Sequence, residues 1–433
     1  MDFQKIREQF PITRTMIKHD DGSKPLQLVY MDHAASTHAP KPVLDKYIEL
    51  METTYANVHR GEHSLSCWST DLFEQVPDKI GKFVGIKDLK NSGNQVVFSS
   101  NTTSSLDLAS HLFAEKGGKV LSTLLEHHSN DLTHRSRGPT PHIDILEDGT
   151  LNLDDYEKKL DNDNIKLVAV TAGSNVTGYM PPIHKMAKMA HDRGAKILID
   201  AAQRLAHQTL EVKPIEHPEH LDFIAAAGHK TYSPFGASFL LGDVEIFDEA
   251  APYIPSGGTV SLVTEDAAFY LTGPDRHSYG TPNIAGSIAF GDSLDFLSNI
   301  GIDKVRKHEL ELLKVMLKGL QEIEGVITYG DIPLKERIGV VSFNIKNQYH
   351  ADVSHDLDKI GGIATRNGCF CAHPYVLRLL NVLDNEEIMS QMQVIEGKEV
   401  KRPGAVRASI GVYNTREEVD HFLQTVETLV KKS

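Results

Sequence analysis

The most reactive candidate side chain is a lysine that lies between two apolar segments. Residues 221–241 read LDFIAAAGHKTYSPFGASFLL, so Gly228-His229-Lys230-Thr231 joins two runs of strand length. Burial of an ammonium group at the end of a strand lowers its pKa and turns it into an amine nucleophile. The alternative is a lysine whose stem packs on the surface while its charge reaches water. The neighbouring residues have to decide between the two.

Two further groups have chemistry that a reactive lysine would use. Asp200 ends the almost wholly apolar run 195–199, where an ionised carboxylate needs a cationic or N–H partner. Thr102 and Thr103 open a helical pattern after another apolar run, and the free N–H groups and hydroxyls of such a helix start favour an anion. Ordinary helix capping is the alternative at both places.

A sheet has to position these side chains. Strand-like runs occur at 95–99, 119–124, 166–171, 195–199, 223–227 and 237–241, with helical patterns between several of them. Strands that alternate with helices predict an α/β fold whose largely parallel sheet is covered on both faces. Ligands bind at the carboxyl ends of such strands. The polar residues that follow the strands are Asn101, Thr102, Thr103, Glu126, His127, His128, Asn175, Asp200, Gln203, His229 and Lys230.

An anion site, a buried acid and an amine nucleophile on one sheet edge match the needs of pyridoxal 5′-phosphate. The phosphate would occupy the helix start at Thr103, the pyridinium nitrogen would pair with Asp200, and the aldehyde would react with Lys230. His127 is then a candidate to stack on the ring, with an ordinary core or surface histidine as the alternative.

The pattern changes after about residue 300. A long helical pattern over 304–323 leads into strands and helices of mixed order, and Thr415 with Glu418 forms a capping box before the last helix. We therefore predict a large cofactor-binding α/β domain over 31–295. Residues 1–30 and 296–433 are expected to form a smaller α+β domain.

Composition excludes several classes of partner. A net charge of −14 argues against a nucleic-acid partner, which requires clustered Lys and Arg. No apolar run approaches the roughly 20 residues of a membrane helix, and MDFQKIREQFPI lacks the core of a signal peptide. The three cysteines, Cys67, Cys369 and Cys371, cannot form a disulfide framework. A reducing, cytoplasmic setting is expected.

Taken together, these motifs resemble the class V aminotransferases of pyridoxal-phosphate fold type I, and within them the cysteine desulfurase and selenocysteine lyase group. The resemblance covers most of the chain and implies a mostly parallel, seven-stranded sheet between helices. In family order it runs through Tyr30–Ala35, Val58–Gly61, Phe98–Thr103, Glu126–Asn130, Ser174–Gly178, Asp200–Gln203, Gly228–Lys230, Gly280–Asn283 and Arg407–Ser409.

The resemblance also implies roles for individual residues. Lys230 holds the cofactor and moves the Cα proton, Gln203 meets the ring hydroxyl, and Thr281 reaches the phosphate from a partner subunit, which implies a homodimer. The residues expected around the cofactor are Thr102, Thr103, His127, Asn175, Asp200, Gln203, His229, Lys230 and Thr281. Those expected around the substrate are Ala34, Ala35, Asn175, Arg366 and Arg407, the last a guanidinium fork suited to a carboxylate.

Cys371 is the residue that would make the reaction a sulfur transfer. Arg366-Asn367-Gly368-Cys369-Phe370-Cys371 is similar to the family loop in which the cysteine follows Arg-x-Gly after two residues, which selects Cys371. Its Gly-Cys-Phe-Cys form also resembles molybdenum-cofactor sulfurases. The Cys371 thiolate would take sulfur from L-cysteine, leaving a persulfide and L-alanine. L-Selenocysteine is an alternative substrate, and an acceptor protein would receive the sulfur.

Cys369 is either a relay or resolving thiol or a small buried residue, and Cys67 on a helix is a packing residue. Cys369, Cys371 and His373 could share a face if the strand before them continued, but a fourth ligand is lacking nearby, so no metal is predicted.

Two departures from the family pattern accompany these expectations. Ala227 replaces a serine hydroxyl at the phosphate, which costs one hydrogen bond of about 1.5–3 kcal/mol to a charged group and weakens cofactor affinity. The 35 residues between Cys371 and Arg407 are longer than in typical relatives and include an acidic stretch from Asp384 and a basic one from Lys398. This insertion is expected to cover the cysteine or to meet an acceptor.

Three alternatives to a cysteine desulfurase stay open. A C–S lyase of the same fold would release sulfide, pyruvate and ammonia without Cys371. Another class V aminotransferase is disfavoured because no second side-chain pocket is suggested. A sulfur-carrier or scaffold protein that has lost the cofactor would not be an enzyme.

Overall fold

A computed structural model of the protein describes residues 3–20, 22, 24–234, 236–382, 384–397 and 400–432. Lys398, the start of the predicted basic stretch, lies outside the described residues. The strands are β1 (Met16–Ile17), β2 (Leu26–Gln27), β3 (Val29–Tyr30), β4 (Asn94–Ser99), β5 (Lys119–Thr123), β6 (His142–Ile143), β7 (Ile165–Thr171), β8 (Lys196–Asp200), β9 (Phe223–Ala227), β10 (Ser238–Asp243), β11 (Val260–Val263), β12 (Ala268–Tyr270), β13 (Val326–Tyr329), β14 (Val340–Ile345), β15 (Ile363–Ala364), β16 (Arg366–Gly368) and β17 (Ala405–Ser409).

The α-helices follow the same chain order. They are α1 (Phe3–Arg7), α2 (Lys41–Glu49), α3 (Ser64–Glu74), α4 (Val76–Phe83), α5 (Thr102–Ala114), α6 (Leu132–Arg135), α7 (Leu153–Asn162), α8 (Ile183–His191), α9 (Val244–Glu249), α10 (Ile284–Ile300), α11 (Ile302–Glu322), α12 (His350–Gly361), α13 (His373–Leu379), α14 (Asp384–Ile395) and α15 (Arg416–Lys431). The capping box predicted at Thr415 and Glu418 is present at the start of α15.

The central sheet has seven strands in the order β4-β10-β9-β8-β7-β5-β6. Only β10 runs antiparallel to its neighbours β4 and β9, and the pairs from β9 to β6 are parallel. All five residues of β9 are buried, because helices cover both faces of a parallel sheet and remove the alternation of apolar and polar residues. This arrangement confirms the predicted α/β fold with a mostly parallel sheet.

A second, antiparallel sheet has the order β13-β14-β17-β16. Helices α11, α12 and α15 contribute the apolar side chains of its core, which also includes Val29 and Met31 from the N-terminal segment. The N-terminal segment is attached by the parallel pair β3–β15 and by a bridge between Asp32 and Ser409. The domain boundaries at 31–295 and 296–433 stay a prediction.

Two features of this architecture bring polar side chains together at one edge of the central sheet. The strands β5, β7, β8 and β9 end at one edge of the central sheet, where α5 also begins. The antiparallel sheet brings β16 and β17, with their arginines, to the same edge. None of the described helices combines the length and the apolar character that a membrane crossing needs.

Candidate active site

A cavity of about 320 Å³ opens at this edge. The structure brings together in its lining every site residue predicted from the sequence except Thr281, which is exposed and lies outside it. The lining consists of Ala34, Ala35, Asn101, Thr102, Thr103, His127, Ser129, Thr171, Gly173, Asn175, Asp200, Ala202, Gln203, His229, Lys230, Arg366, Phe370, Cys371 and Arg407.

Lys230 ends a 3₁₀ turn, Gly228–Lys230, that follows β9 directly. The turn is fixed because the Gly228 N–H bonds to the Ala237 carbonyl at 2.9 Å and the Thr37 N–H bonds to the His229 carbonyl at 2.8 Å. Burial lowers the pKa of Lys230 to about 8, although the negative charge of Asp200 acts in the opposite direction. A substantial fraction of the amine is therefore neutral near physiological pH, as a nucleophile or base requires.

Asp200 is the last residue of β8 and is buried. One carboxylate oxygen accepts the N–H of Ala202 at 3.0 Å. Burial raises the pKa of Asp200, and the Ala202 N–H and the charge of Lys230 oppose this shift. A carboxylate in this position is stabilised further by a cation in the cavity, such as a protonated ring nitrogen. Beside it the Gln203 amide donates to the Ala34 carbonyl at 2.7 Å.

Hydroxyl groups at the start of α5 also line the cavity. Thr102 and Thr103 form the first turn of the 13-residue helix α5, and the Thr103 hydroxyl lies 2.7 Å from the Ser129 hydroxyl. The Asn101 side chain accepts the Ser104 N–H and caps the helix. The cap is therefore supplied by Asn101, and Thr102 and Thr103 are not needed for it although all three residues line the cavity.

His127 follows β5 and is oriented by Ser129, whose N–H donates to its Nδ1 at 3.1 Å. Burial lowers the pKa of His127 to about 4, and the positive charge of Lys230 adds to the effect. The imidazole is neutral at pH 7 and can stack on a ring without a charge of its own. Ser129 was missed as a site residue, although it lies within the Glu126–Asn130 motif.

Arg407 and Arg366 converge on a single carboxylate, that of Asp32. Arg407 Nη2 donates to Asp32 Oδ1 at 3.1 Å, and Arg366 donates to Asp32 Oδ2 through Nε at 3.0 Å and Nη2 at 2.7 Å. Arg407 also donates to the Asn175 carbonyl at 3.0 Å. Its remaining N–H groups suit a substrate carboxylate. Asp32 was not identified from the sequence as a functional residue.

Cys371 lies in a tightly held turn. Phe370 and Cys371 have φ values of 51° and 55°, a left-handed conformation that non-glycine residues rarely adopt. The Asn175 amide donates to the Phe370 carbonyl at 2.7 Å, and the His128 N–H donates to the Cys371 carbonyl at 2.7 Å. The Arg407 guanidinium lies 5.0 Å from the centre of the Phe370 ring. These contacts fix Cys371 at the cavity wall.

Cys369 and Cys371 occupy different environments. Cys369 Sγ donates to the Pro403 carbonyl at 3.2 Å and is absent from the cavity lining, whereas Cys371 is exposed to the cavity. Strand β16 ends at Gly368, so strand alternation does not extend to Cys369, Cys371 and His373. Within the described part of the chain, no group of three or more His, Cys, Asp or Glu side chains could hold a metal ion. His373 stacks instead on His128, with ring centres 4.8 Å apart.

Glu126 supports the site from behind and accepts three hydrogen bonds. Its carboxylate binds the Thr123 hydroxyl at 2.7 Å, the Asn130 amide at 2.7 Å and the Thr171 N–H at 2.9 Å. Burial outweighs these bonds and raises the pKa of Glu126 to about 8. Through its bonds to Thr123 and Thr171, the Glu126 side chain links the end of β5 to the end of β7.

Comparison with known proteins places these features in a family context. The family model for Aminotransferase class-V matches residues 29–422. A probable cysteine desulfurase of Synechocystis sp. is 32% identical over 98% of this chain and 95% of that protein. One of Pyrococcus abyssi is 34% identical over 99% and 98%. The apo structure of a cysteine desulfurase from Thermococcus onnurineus has a TM-score of 0.84 and 32% identity, covering 99% of this chain and 98% of that one.

Proposed function

The chain belongs to the class V aminotransferase family and, within it, to the cysteine desulfurase group, and from this membership we propose that it transfers sulfur from L-cysteine to Cys371 and releases L-alanine. The observation that carries the proposal is the presence of a buried amine, Lys230, and a cysteine, Cys371, in the lining of one cavity. Burial lowers the pKa of Lys230, and the charge of Cys371 is among those that oppose this shift.

Pyridoxal 5′-phosphate fits the residues that are present. Lys230 would hold its aldehyde, Asp200 its ring nitrogen, and the start of α5 with Thr103 its phosphate, while neutral His127 would cover one ring face. Buried Asp200, which lies close enough to Lys230 for each charge to shift the pKa of the other, supports this fit. When bound, the cofactor withdraws electrons from the Cα of an amino acid and makes the bonds of that carbon labile.

The side chains of the protein divide the remaining work. Arg407 and Arg366 bind the substrate carboxylate, and the neutral Lys230 amine accepts the Cα proton and returns it. The Cys371 thiolate attacks the substrate sulfur, so that an S–S bond forms while the C–S bond breaks. The electron pair of the broken bond stays with Cβ, which is then protonated. L-Cysteine and the Cys371 thiol thereby become L-alanine and a Cys371 persulfide.

The proposal extends to a homodimer that works in a reducing, cytoplasmic setting. Thr281 is exposed and outside the cavity of its own chain, as expected if it serves a partner's phosphate site. Helices α2 and α3 expose large apolar residues, among them Ile48, Trp68 and Leu72, that a second subunit would cover. Cys67, Cys369 and Cys371 form no disulfide in the described part of the chain. The exposure of Cys371 allows an acceptor protein to receive the sulfur.

Product analysis tests the proposal. Wild-type protein loaded with pyridoxal phosphate should form L-alanine and sulfane sulfur one for one, and Cys371→Ser should lose at least about a hundredfold in rate. Cys67 was expected to be a packing residue, but the structure leaves it exposed on α3 and outside the cavity lining, so Cys67→Ser is the matched control and should be unaffected. Pyruvate in place of alanine, at a rate unchanged by Cys371→Ser, would identify a C–S lyase instead. L-Selenocysteine in the same assay measures the preference between sulfur and selenium.

A further inference from the structure

Asp32 is the centre of a three-residue charge cluster at the cavity: its partners Arg366 and Arg407 line the cavity, whereas Asp32 is not among the lining residues. Its two oxygens accept three N–H bonds, one from Arg407 and two from Arg366, at 2.7–3.1 Å. The Asp32 and Arg407 side chains are only 9% and 3% exposed, whereas that of Arg366 is 52% exposed. The cluster is thus buried on the side of Arg407 and open on the side of Arg366.

The cluster joins three separate parts of the chain. Asp32 follows β3 and bridges to Ser409, and the Ser409 hydroxyl accepts the Ala34 N–H at 2.9 Å. Arg366 opens β16, five residues before Cys371, and lies opposite Arg407 of β17. Asp32 is therefore held in place by backbone contacts of its own and does not depend on the arginines for its position.

The balance of charges in the cluster determines which anion it accepts. Two guanidinium groups and one carboxylate leave a single surplus positive charge, and one substrate carboxylate neutralises it. Arg407 makes one hydrogen bond through Nη1 and one through Nη2, so each of these groups keeps a second N–H, and Arg407 lines the cavity. Without Asp32, the Arg366 and Arg407 guanidinium groups would be two uncompensated cations, and the subsite would bind any anion more strongly.

We propose that Asp32 is a specificity-determining residue, a built-in counter-ion that competes with the substrate for Arg366 and Arg407 and limits the subsite to the affinity suited to one monocarboxylate. The inference rests on the proposed function, since it assigns the arginines to the carboxylate of an amino acid. By weakening the hold on any carboxylate, Asp32 also allows the product L-alanine to leave.

Binding of L-alanine to the holoenzyme, measured by calorimetric titration, tests this role. Asp32→Asn keeps the shape of the side chain but removes its charge, and it should bind L-alanine at least tenfold more tightly, with a lower KM and a lower kcat for L-cysteine. L-Alaninamide, which lacks the carboxylate, should bind both proteins equally. Asp144→Asn, which removes an exposed acid paired with Arg378 at 2.7 Å, is the matched control and should leave L-alanine binding unchanged.

A charge-restoring pair of variants keeps the test decisive if Asp32→Asn alone does not fold. Arg366→Gln should weaken L-alanine binding, and adding Asp32→Asn to it restores a net charge of one and should strengthen the binding again. A purely structural role for Asp32 predicts weaker binding of both ligands in each Asp32 variant, and that result, or unchanged L-alanine affinity, would overturn the inference. Tight L-alanine binding without any desulfuration of L-cysteine would contradict the proposed function and leave the role of Asp32 intact.

Discussion

Lys230 and Asp200 lie in surroundings that make each charge costly, and each partly stabilises the other. Burial lowers the pKa of the lysine and raises that of the aspartate, while their mutual attraction acts against both shifts. A ligand with an aldehyde and a cationic nitrogen can therefore replace the attraction between Lys230 and Asp200: the aldehyde reacts with the amine, and the cationic nitrogen pairs with the carboxylate. This electrostatic arrangement is the chemical basis of the site.

The pH dependence of cofactor uptake should report the pKa of Lys230. Only the neutral amine reacts with an aldehyde, so the uptake rate of the apoprotein should rise with pH, with a midpoint near pH 8, and level off at higher pH. Asp200→Asn removes the charge that raises this pKa, and the rise should move to lower pH. The absorbance change on mixing with pyridoxal phosphate measures both profiles. Asp192→Asn, which removes a surface acid paired with Lys188, should match the wild type; a midpoint that stays in place in Asp200→Asn would contradict the coupling.

Residue types alone predicted Lys230 and Asp200, because a charged group at the end of an apolar run has few structural reasons to be there. Asp32 could not be predicted in the same way. Its role depends on two arginines that lie more than 300 residues away in the chain, and only the fold brings the three side chains within hydrogen-bond distance. Ser129 was missed for a similar reason, since its function is to orient His127 and to meet Thr103.

At the level of secondary-structure elements, the neighbouring parallel strands β5 and β7 end at a common edge of the sheet, and Glu126 links their ends. It follows β5 and accepts the N–H of Thr171, the last residue of β7, which is the next strand in the sheet. A buried carboxyl group that is favoured in its neutral form makes this link dependent on pH.

Glu126→Gln should change how stability varies with pH. The pKa of Glu126 is raised in the folded protein to about 8, so its contribution is complete below the unfolded value near 4.5 and is lost as the pH rises towards 8. Glutamine cannot ionise, so the free energy of unfolding of the variant relative to the wild type should increase by about 1–3 kcal/mol between pH 5 and pH 8. Urea unfolding at both pH values measures the difference. Glu157→Gln, at an exposed carboxylate, should show no such trend, and the same flat result for Glu126→Gln would refute the assignment.

Apolar patterning predicted the long central strands within a residue or two, because full burial leaves a continuous apolar run. Where local geometry decides, patterning failed. The sequence over 65–84 shows one continuous helical pattern, yet the structure divides it into α3 and α4, and Pro77 lies in the first turn of α4, where its missing N–H is tolerated. Strand β6 has only two residues, too few for any periodicity. Strand β16 ends at Gly368, so the condition under which Cys369, Cys371 and His373 would share a face is not met.

On the scale of the whole molecule, the cavity combines groups from both sheets. The central sheet supplies Lys230, Asp200 and His127, and the antiparallel sheet with its following turn supplies Arg366, Arg407 and Cys371. No single stretch of sequence contains such a site. Its composition was predictable because nine short motifs occur in the order of one family, whereas the contribution of a second subunit stays a prediction.

Mixed dimers can decide whether Thr281 serves the partner's site. In a dimer of one Lys230→Ala and one Thr281→Ala subunit, the site that keeps its lysine receives an intact Thr281 only if the threonine comes from the partner. With cofactor limiting, an equimolar, randomly reassociated mixture should recover about a quarter of the wild-type activity, since half of the dimers are mixed and each has one complete site.

Thr281→Ala alone should bind the cofactor about tenfold or more weakly, because a hydrogen bond to a charged phosphate is lost. Lys230→Ala mixed with Asp200→Asn is the control and should recover nothing, since both residues line the cavity of the same chain. Recovery in neither mixture would assign Thr281 to its own subunit, and wild-type activity of Thr281→Ala alone would exclude it from either site.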